Sequence, residues 1–244
     1  LNAKGMALRR TGRFDASLDT ILKAEDINPT NIETLNQLGS AYQSIGDNDR
    51  AAEIFRRAVQ LNPDSDASRR CLLFIILNDP ALTSQERYDI HIDVQGDFNK
   101  PEFTKKDFPE RDRNTSRRLK VGYISSDFRK HVVAMNVLPV IANHDHEAFE
   151  VFLYGEVEFP DEFTEDFKGH ADHWRSTMQK PDQEVAAMIE EDEIDVLVFL
   201  AGRFDSNRPT VATYRPAPIQ VSFHDAATSG LEAMDYWLTD DILH

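Results

Sequence analysis

Apolar residues in positions 1–65 recur three and four apart, the period of helices that bury one face. The arrangement then repeats 34 positions later. Gly5 falls on Gly39, Gly12 on Gly46, Ile21 on Phe55, Ala24 on Ala58, Asn28 on Asn62 and Pro29 on Pro63. Each unit reads as a helix, a short turn, a second helix and an Asn-Pro stop. Gly46 suits the end of one helix and Pro63 the departure from the next. Small Gly39 and Ala51 let paired helices approach, while Leu38, Tyr42, Phe55 and Ala58 fill the seam. The first copy is weaker, with Ser17 where the second has Ala51. Residues 66–95 are expected to form a third, degenerate helical pair that caps the stack. In it 72–77 docks inward, and Arg69 and Arg70 face solvent. Residues 96–118, mixed in charge and poor in branched apolar side chains, read as an exposed linker.

From 119 onward the period changes. Short apolar runs at 119–126, 149–154, 194–200, 219–223 and 234–239 are expected strands, and 132–141 and 181–191 expected helices. The acidic stretch 156–166 is a solvated loop or a short helix. This alternation predicts a Rossmann-like α/β lobe with a mostly parallel sheet over 119–244, behind an α-solenoid over 1–65. Such sheets place chemistry beyond the carboxyl ends of their strands. At those ends lie Ser125, Ser126, Asp127 and His131; then Gly202, Arg203, Asn207 and Arg208; then His224, Asp225, Thr228, Ser229 and Gly230; and finally Asp240.

The composition narrows the classes. With 244 residues, 41% of them hydrophobic, the chain can build a sizeable core and is not a disordered one. Its net charge of −16 is unevenly spread: residues 1–120 hold 19 basic and 19 acidic side chains, and 121–244 hold 8 and 24. An acidic second half repels phosphate backbones, so nucleic acid is not an expected partner, whereas a basic peptide would be attracted. Cys71 is the sole cysteine, which excludes an intrachain disulfide and fits a reducing, cytoplasmic setting. No apolar run approaches a membrane span, so no membrane partner is expected. The chain starts at Leu1, as a fragment of something longer would. His144 with His146, and His170 with His173, have metal-ligand spacings. They sit in hydrophilic stretches with no cysteine to help, and read as surface histidines, so no metal site is expected. There is no complete glycine-rich nucleotide fingerprint and no P-loop.

The repeated unit, Leu35, Leu38-Gly39, Tyr42, Gly46, Ala51, Phe55, Ala58 and Pro63, resembles the tetratricopeptide repeat, whose curved inner face commonly receives a peptide. The run Leu119-Lys120-Val121-Gly122-Tyr123-Ile124-Ser125-Ser126-Asp127-Phe128-Arg129-Lys130-His131 resembles the O-linked N-acetylglucosamine transferases and their bacterial relatives. So do Arg215-Pro216-Ala217-Pro218-Ile219-Gln220, Thr228-Ser229-Gly230 and Met234-Asp235-Tyr236. With the repeats, the likeness covers nearly the whole chain. It implies a two-lobed GT-B glycosyltransferase that works without a metal. Such an enzyme moves a sugar from a nucleotide-diphosphate sugar, UDP-N-acetylglucosamine being the expected donor, to Ser or Thr hydroxyls of intracellular proteins. The acceptor protein is then expected along the inner face of the repeats. A second lobe, absent from this sequence, would hold most of the donor, so the chain should be inactive alone. The likeness makes His131 the base or the group that orients the acceptor, and puts Arg203, Thr228, Ser229 and Gly230 on the donor side.

The sequence departs from that family pattern in three places. Met135 stands where a second histidine is usual, and Arg203 follows Gly202 where His or Tyr is common. The loop 223–228 is one residue shorter and lacks two glycines and a proline, which changes its backbone options. A catalytically inactive, repeat-based protein-binding scaffold is therefore the alternative, and an unrelated sugar or nucleotide enzyme of the same fold a third reading.

Overall fold

The structure, a computed structural model, describes residues 1–77, 79–95, 106–114, 116–204, 206–223 and 230–239. The chain divides into two compact units, Leu1–Val94 and Gln95–His244.

The first unit is helical: α1 (Asn2–Arg10), α2 (Phe14–Ile27), α3 (Ile32–Ser44), α4 (Asn48–Leu61), α5 (Asp66–Leu77) and α6 (Ser84–Gln95). The 34-residue period has a physical basis at each matched position. Gly12 and Gly46 follow α1 and α3 at φ +74° and +82°, the left-handed region that glycine enters without strain. Gly39 faces the Phe55 ring so closely that a Cβ there would lie 2.5 Å from a ring carbon. Ser17, in the slot of Ala51, is buried, and its hydroxyl is satisfied by donating to the Gly5 carbonyl at 2.7 Å. Arg57 ties the two repeats together, bonding Glu25 at 2.6 Å and the Pro29 carbonyl at 2.5 Å. In α5, Leu72, Leu73, Ile75 and Ile76 pack against Ala51, Ala52 and Phe55. Arg69 departs from expectation: it is buried. Its spacing to Leu72, Leu73 and Ile76 is three, four and seven, so it shares their inward stripe. Arg70 turns outward and pairs with Asp66 at 3.2 Å.

The second unit carries β1 (Leu119–Ser125), α7 (Val132–Ala142), β2 (Phe149–Gly155), α8 (Glu162–His170) and β3 (His173–Ser176). It continues with α9 (Asp182–Glu191), β4 (Val196–Leu200), a 3-10 helix (Pro209–Tyr214), β5 (Ile219–Phe223) and β6 (Tyr236–Leu238). The sheet order is β3-β2-β1-β4-β5-β6, and every neighbouring pair is parallel. The chain enters at the middle strand, steps outward to β3, then returns to the other side of β1 with β4. The switch point is therefore between β1 and β4. Alternate strand residues feed two cores: Tyr123, Val137, Leu153 and Phe167 on one face, and Ile124, Tyr154, Ile189 and Phe199 on the other. β3 has no buried residue and no apolar run, so hydrophobic patterning does not reveal it. The described part of the connector is tied to this unit. Arg117 makes a bidentate pair with Asp195 at 2.7 and 2.6 Å, and Lys106 pairs with Glu190.

Candidate active site

The carboxyl ends of β1 and β4 meet in one hydrogen-bonded cluster. Ser125 closes β1, and its Oγ donates to Asn207 Oδ1 at 2.9 Å while accepting the Asp127 N–H at 3.0 Å. The Ser126 N–H also donates to Asn207 Oδ1, at 2.9 Å. Asn207 Nδ2 donates to Asp127 Oδ2 at 2.8 Å and to the Phe204 carbonyl at 2.9 Å. One side of this carboxamide meets an obligate donor and the other obligate acceptors, so its orientation is fixed by its partners. Asp127 is only 1% exposed. Its second oxygen, Oδ1, lies 3.2 Å from Ser126 Oγ, 3.6 Å from His131 Nδ1 and 3.9 Å from an Arg129 guanidinium nitrogen.

His131 caps α7, with Nδ1 accepting the Val133 N–H at 3.3 Å. Nδ1 thus faces both an amide proton and a carboxylate. The loop from Asp127 to His131 is braced from a second side by α8. Asp161 caps that helix and accepts the Lys130 N–H at 2.7 Å, while Thr164 Oγ1 donates to the Phe128 carbonyl at 2.7 Å. Burial pushes the Asp161 carboxyl up, but the Lys130, Thr164 and Phe163 bonds outweigh it and hold the group below its ordinary range. Beyond Asn207, Arg208 bonds Glu156 at 3.0 Å, Asp182 at 2.8 Å and the carbonyls of Thr177 and Lys180. It thereby anchors the β4 turn to the ends of β2 and β3 and the start of α9.

Arg203, like His131, follows a carboxyl strand end, in the turn opened by Ala201 and Gly202 at positive φ, and it is 6% exposed. Gly230 is buried at φ +66°. Thr228 and Ser229 lie outside the described residues, as do His224, Asp225 and Asp240. Among the described residues no group of three His, Cys, Asp or Glu is placed to hold a metal. His144 bonds the Tyr123 hydroxyl at 2.7 Å; burial, then the nearby His146, pushes its pKa down, and burial lifts Tyr123 to about 12. His173 bonds Glu150 at 2.7 Å and stacks on Phe152. His146 bonds Asp172 at 3.0 Å. Burial raises Asp172, yet the Val151 N–H, Arg118 and His146 together bring it down to about 2.

A cavity of about 400 Å³ lies elsewhere, at the amino ends of β1, β4 and β5, lined by Phe108, Arg111, Arg117 and Asp195 among others. It is at the opposite end of the sheet from the strand-end cluster.

The family motifs also have a structural job. Arg215 donates to the Ala233 carbonyl at 2.8 Å and to Asp235 at 2.7 Å; the Gln220 N–H donates to Asp235 at 2.8 Å, and its side-chain amide to Ala233 and Ala212. The Arg-Pro-Ala-Pro-Ile-Gln and Met-Asp-Tyr segments form one knot.

Residues 97–244, more than half of the chain, match glycosyl transferase family 41. The chain belongs to that family. Residues 1–31 and 32–65 match the tetratricopeptide repeat. Among relatives of this family 41 chain, a probable UDP-N-acetylglucosamine–peptide N-acetylglucosaminyltransferase SPINDLY of Oryza sativa subsp. japonica is 31% identical over 198 residues, 78% of this chain and 21% of that protein. The UDP-N-acetylglucosamine–peptide N-acetylglucosaminyltransferase of Caenorhabditis elegans is 33% identical over 128 residues, covering 51% of this chain and 11% of its own. A solved mutant O-GlcNAc transferase from Thermobaculum terrenum superposes with a TM-score of 0.87 at 26% identity, covering 97% of this chain and 46% of that one. The chain thus spans about a fifth of the length of the first of these relatives and under half of the solved transferase.

Proposed function

We propose that the chain is the repeat-bearing first lobe of a protein glycosyltransferase that moves N-acetylglucosamine from UDP-N-acetylglucosamine to Ser or Thr hydroxyls. The observation that carries this is His131 at the β1/β4 switch point with a buried carboxylate, Asp127, 3.6 Å from its Nδ1. A neutral hydroxyl is a weak nucleophile, and attack on the anomeric carbon needs a base to take its proton. With a proton on Nδ1 directed at Asp127, Nε2 of His131 is free to accept it, and the imidazolium that forms sits opposite a carboxylate. The acceptor oxygen bonds the anomeric carbon as the bond to the β-phosphate breaks, and the nucleoside diphosphate departs. Departing charge needs donors; Arg203, Thr228, Ser229 and Gly230 are assigned to that side, together with a second lobe. The inner face of the repeats is assigned to the acceptor protein.

The test uses the full-length transferase with labelled UDP-N-acetylglucosamine, and other labelled nucleotide sugars in parallel, in the presence of cell proteins. Label should pass to protein, and His131→Ala should lower turnover at least ~100-fold. Absence of transfer with every donor would overturn the reading, and an unchanged rate in the variant would remove His131 from it.

A further inference from the structure

We infer that Asn207 is a positioning residue that selects the reactive form of His131. It reaches across the switch point by 80 residues of sequence to hold Asp127, and through Asp127 it acts on the ring. The inference rests on the proposed role of His131 as base.

Neutral His131 has two forms. With its proton on Nε2, Nδ1 accepts the Val133 N–H at 3.3 Å, and the ring serves only as a helix cap. With its proton on Nδ1, that nitrogen faces Asp127 Oδ1 at 3.6 Å, and Nε2 becomes a base. The Val133 cap is a weak hydrogen bond and the Asp127 contact lies just beyond hydrogen-bond length, so it is the full negative charge of a correctly held Asp127, not its distance, that tips the ring toward the Nδ1-protonated form. Asp127 has two oxygens, and Asn207 Nδ2 takes Oδ2 at 2.8 Å, which leaves Oδ1 toward the ring. Arg129 also approaches Oδ1, at 3.9 Å, and so competes with the ring for the same oxygen. Asn207 Oδ1 in turn holds the Ser125 hydroxyl and the Ser126 N–H, so the strand end that carries Asp127 cannot swing away. Arg208 fixes the segment from which Asn207 projects.

Asn207→Asp tests this with little change of shape. It keeps an oxygen for Ser125 and Ser126 but replaces the donor facing Asp127 with an acceptor. Asn207→Ala removes both halves. In ¹⁵N spectra of the chain, the His131 ring should move toward the Nε2-protonated form in either variant, while the other seven histidines keep their signals. In the full-length transferase, kcat should fall at least ~10-fold with KM for the donor within about twofold, the pattern of an interaction made in the transition state. Unmoved ring signals and an unchanged kcat in Asn207→Asp would overturn the inference, even where His131→Ala abolishes transfer. Ring signals that move in the Asn207 variants of a protein whose wild type transfers nothing would instead support the brace and sink the proposed function. Should Asn207→Ala fail to fold, the Asp variant alone decides.

Discussion

Asp172 shows how much one carboxylate can organise. It accepts the Val151 N–H at 2.8 Å and Arg118 and His146 at 3.0 Å each, joining β2 to the segment before β3. Its folded value of about 2 lies below the ordinary 3.8, so the stabilisation it gives is fully present above about pH 4 and is lost as pH falls toward 2. The difference corresponds to about 2 kcal/mol. Asp172→Asn should therefore cost about that much at pH 7, and urea unfolding curves of the two proteins should converge as pH drops from about 5 toward 2. A gap that stays constant across that range would mean that the charge plays no part. In the sequence Asp172 is only a residue between His170 and His173, a pair that reads as surface histidines. Its partners Arg118, His146 and Val151 are 54, 26 and 21 residues away, and no local spacing announces them.

At the scale of the element, legibility follows how much each segment depends on its own side chains. β4 is readable because its uninterrupted apolar run is buried on both faces, and the paired repeat helices because each matched glycine answers a local need. β3 was not readable, since backbone pairing to β2 holds it with little apolar burial of its own. Asn207 was legible as a strand-end polar residue, but its reach to Asp127 exists only once the sheet order sets β4 beside β1. The repeats give a direct test. Leu38→Ala removes a side chain 1% exposed and should cost about 2–5 kcal/mol. Gly39→Ala adds helix propensity worth about 1 kcal/mol, but sets a methyl against the Phe55 ring, an overpacking of about 1–3 kcal/mol. A net loss of stability is expected, measured by helical circular dichroism during chemical unfolding. A more stable Gly39→Ala would show that the ring moves aside freely.

Across the whole molecule, charge is partitioned along the chain: residues 121–244 carry all of the −16. For an acceptor rich in Lys and Arg, kcat/KM of the full-length transferase should fall several-fold between about 0.05 and about 0.2 M salt as the field is screened. A neutral acceptor should show little change, and equal salt dependence for both would remove steering from the account. The knot of Arg215, Gln220 and Asp235 has a different consequence. Two of the stretches that carry the family likeness, Arg215 to Gln220 and Met234 to Tyr236, are braces that keep β5, β6 and the 3-10 helix together, and their side-chain bonds among the described residues run to one another and to Ala212 and Ala233, not to His131 or Asp127. A descendant that had lost sugar transfer would still need these two stretches to stand upright, so they certify the building, and the trade practised inside is read from the three side chains at the switch point.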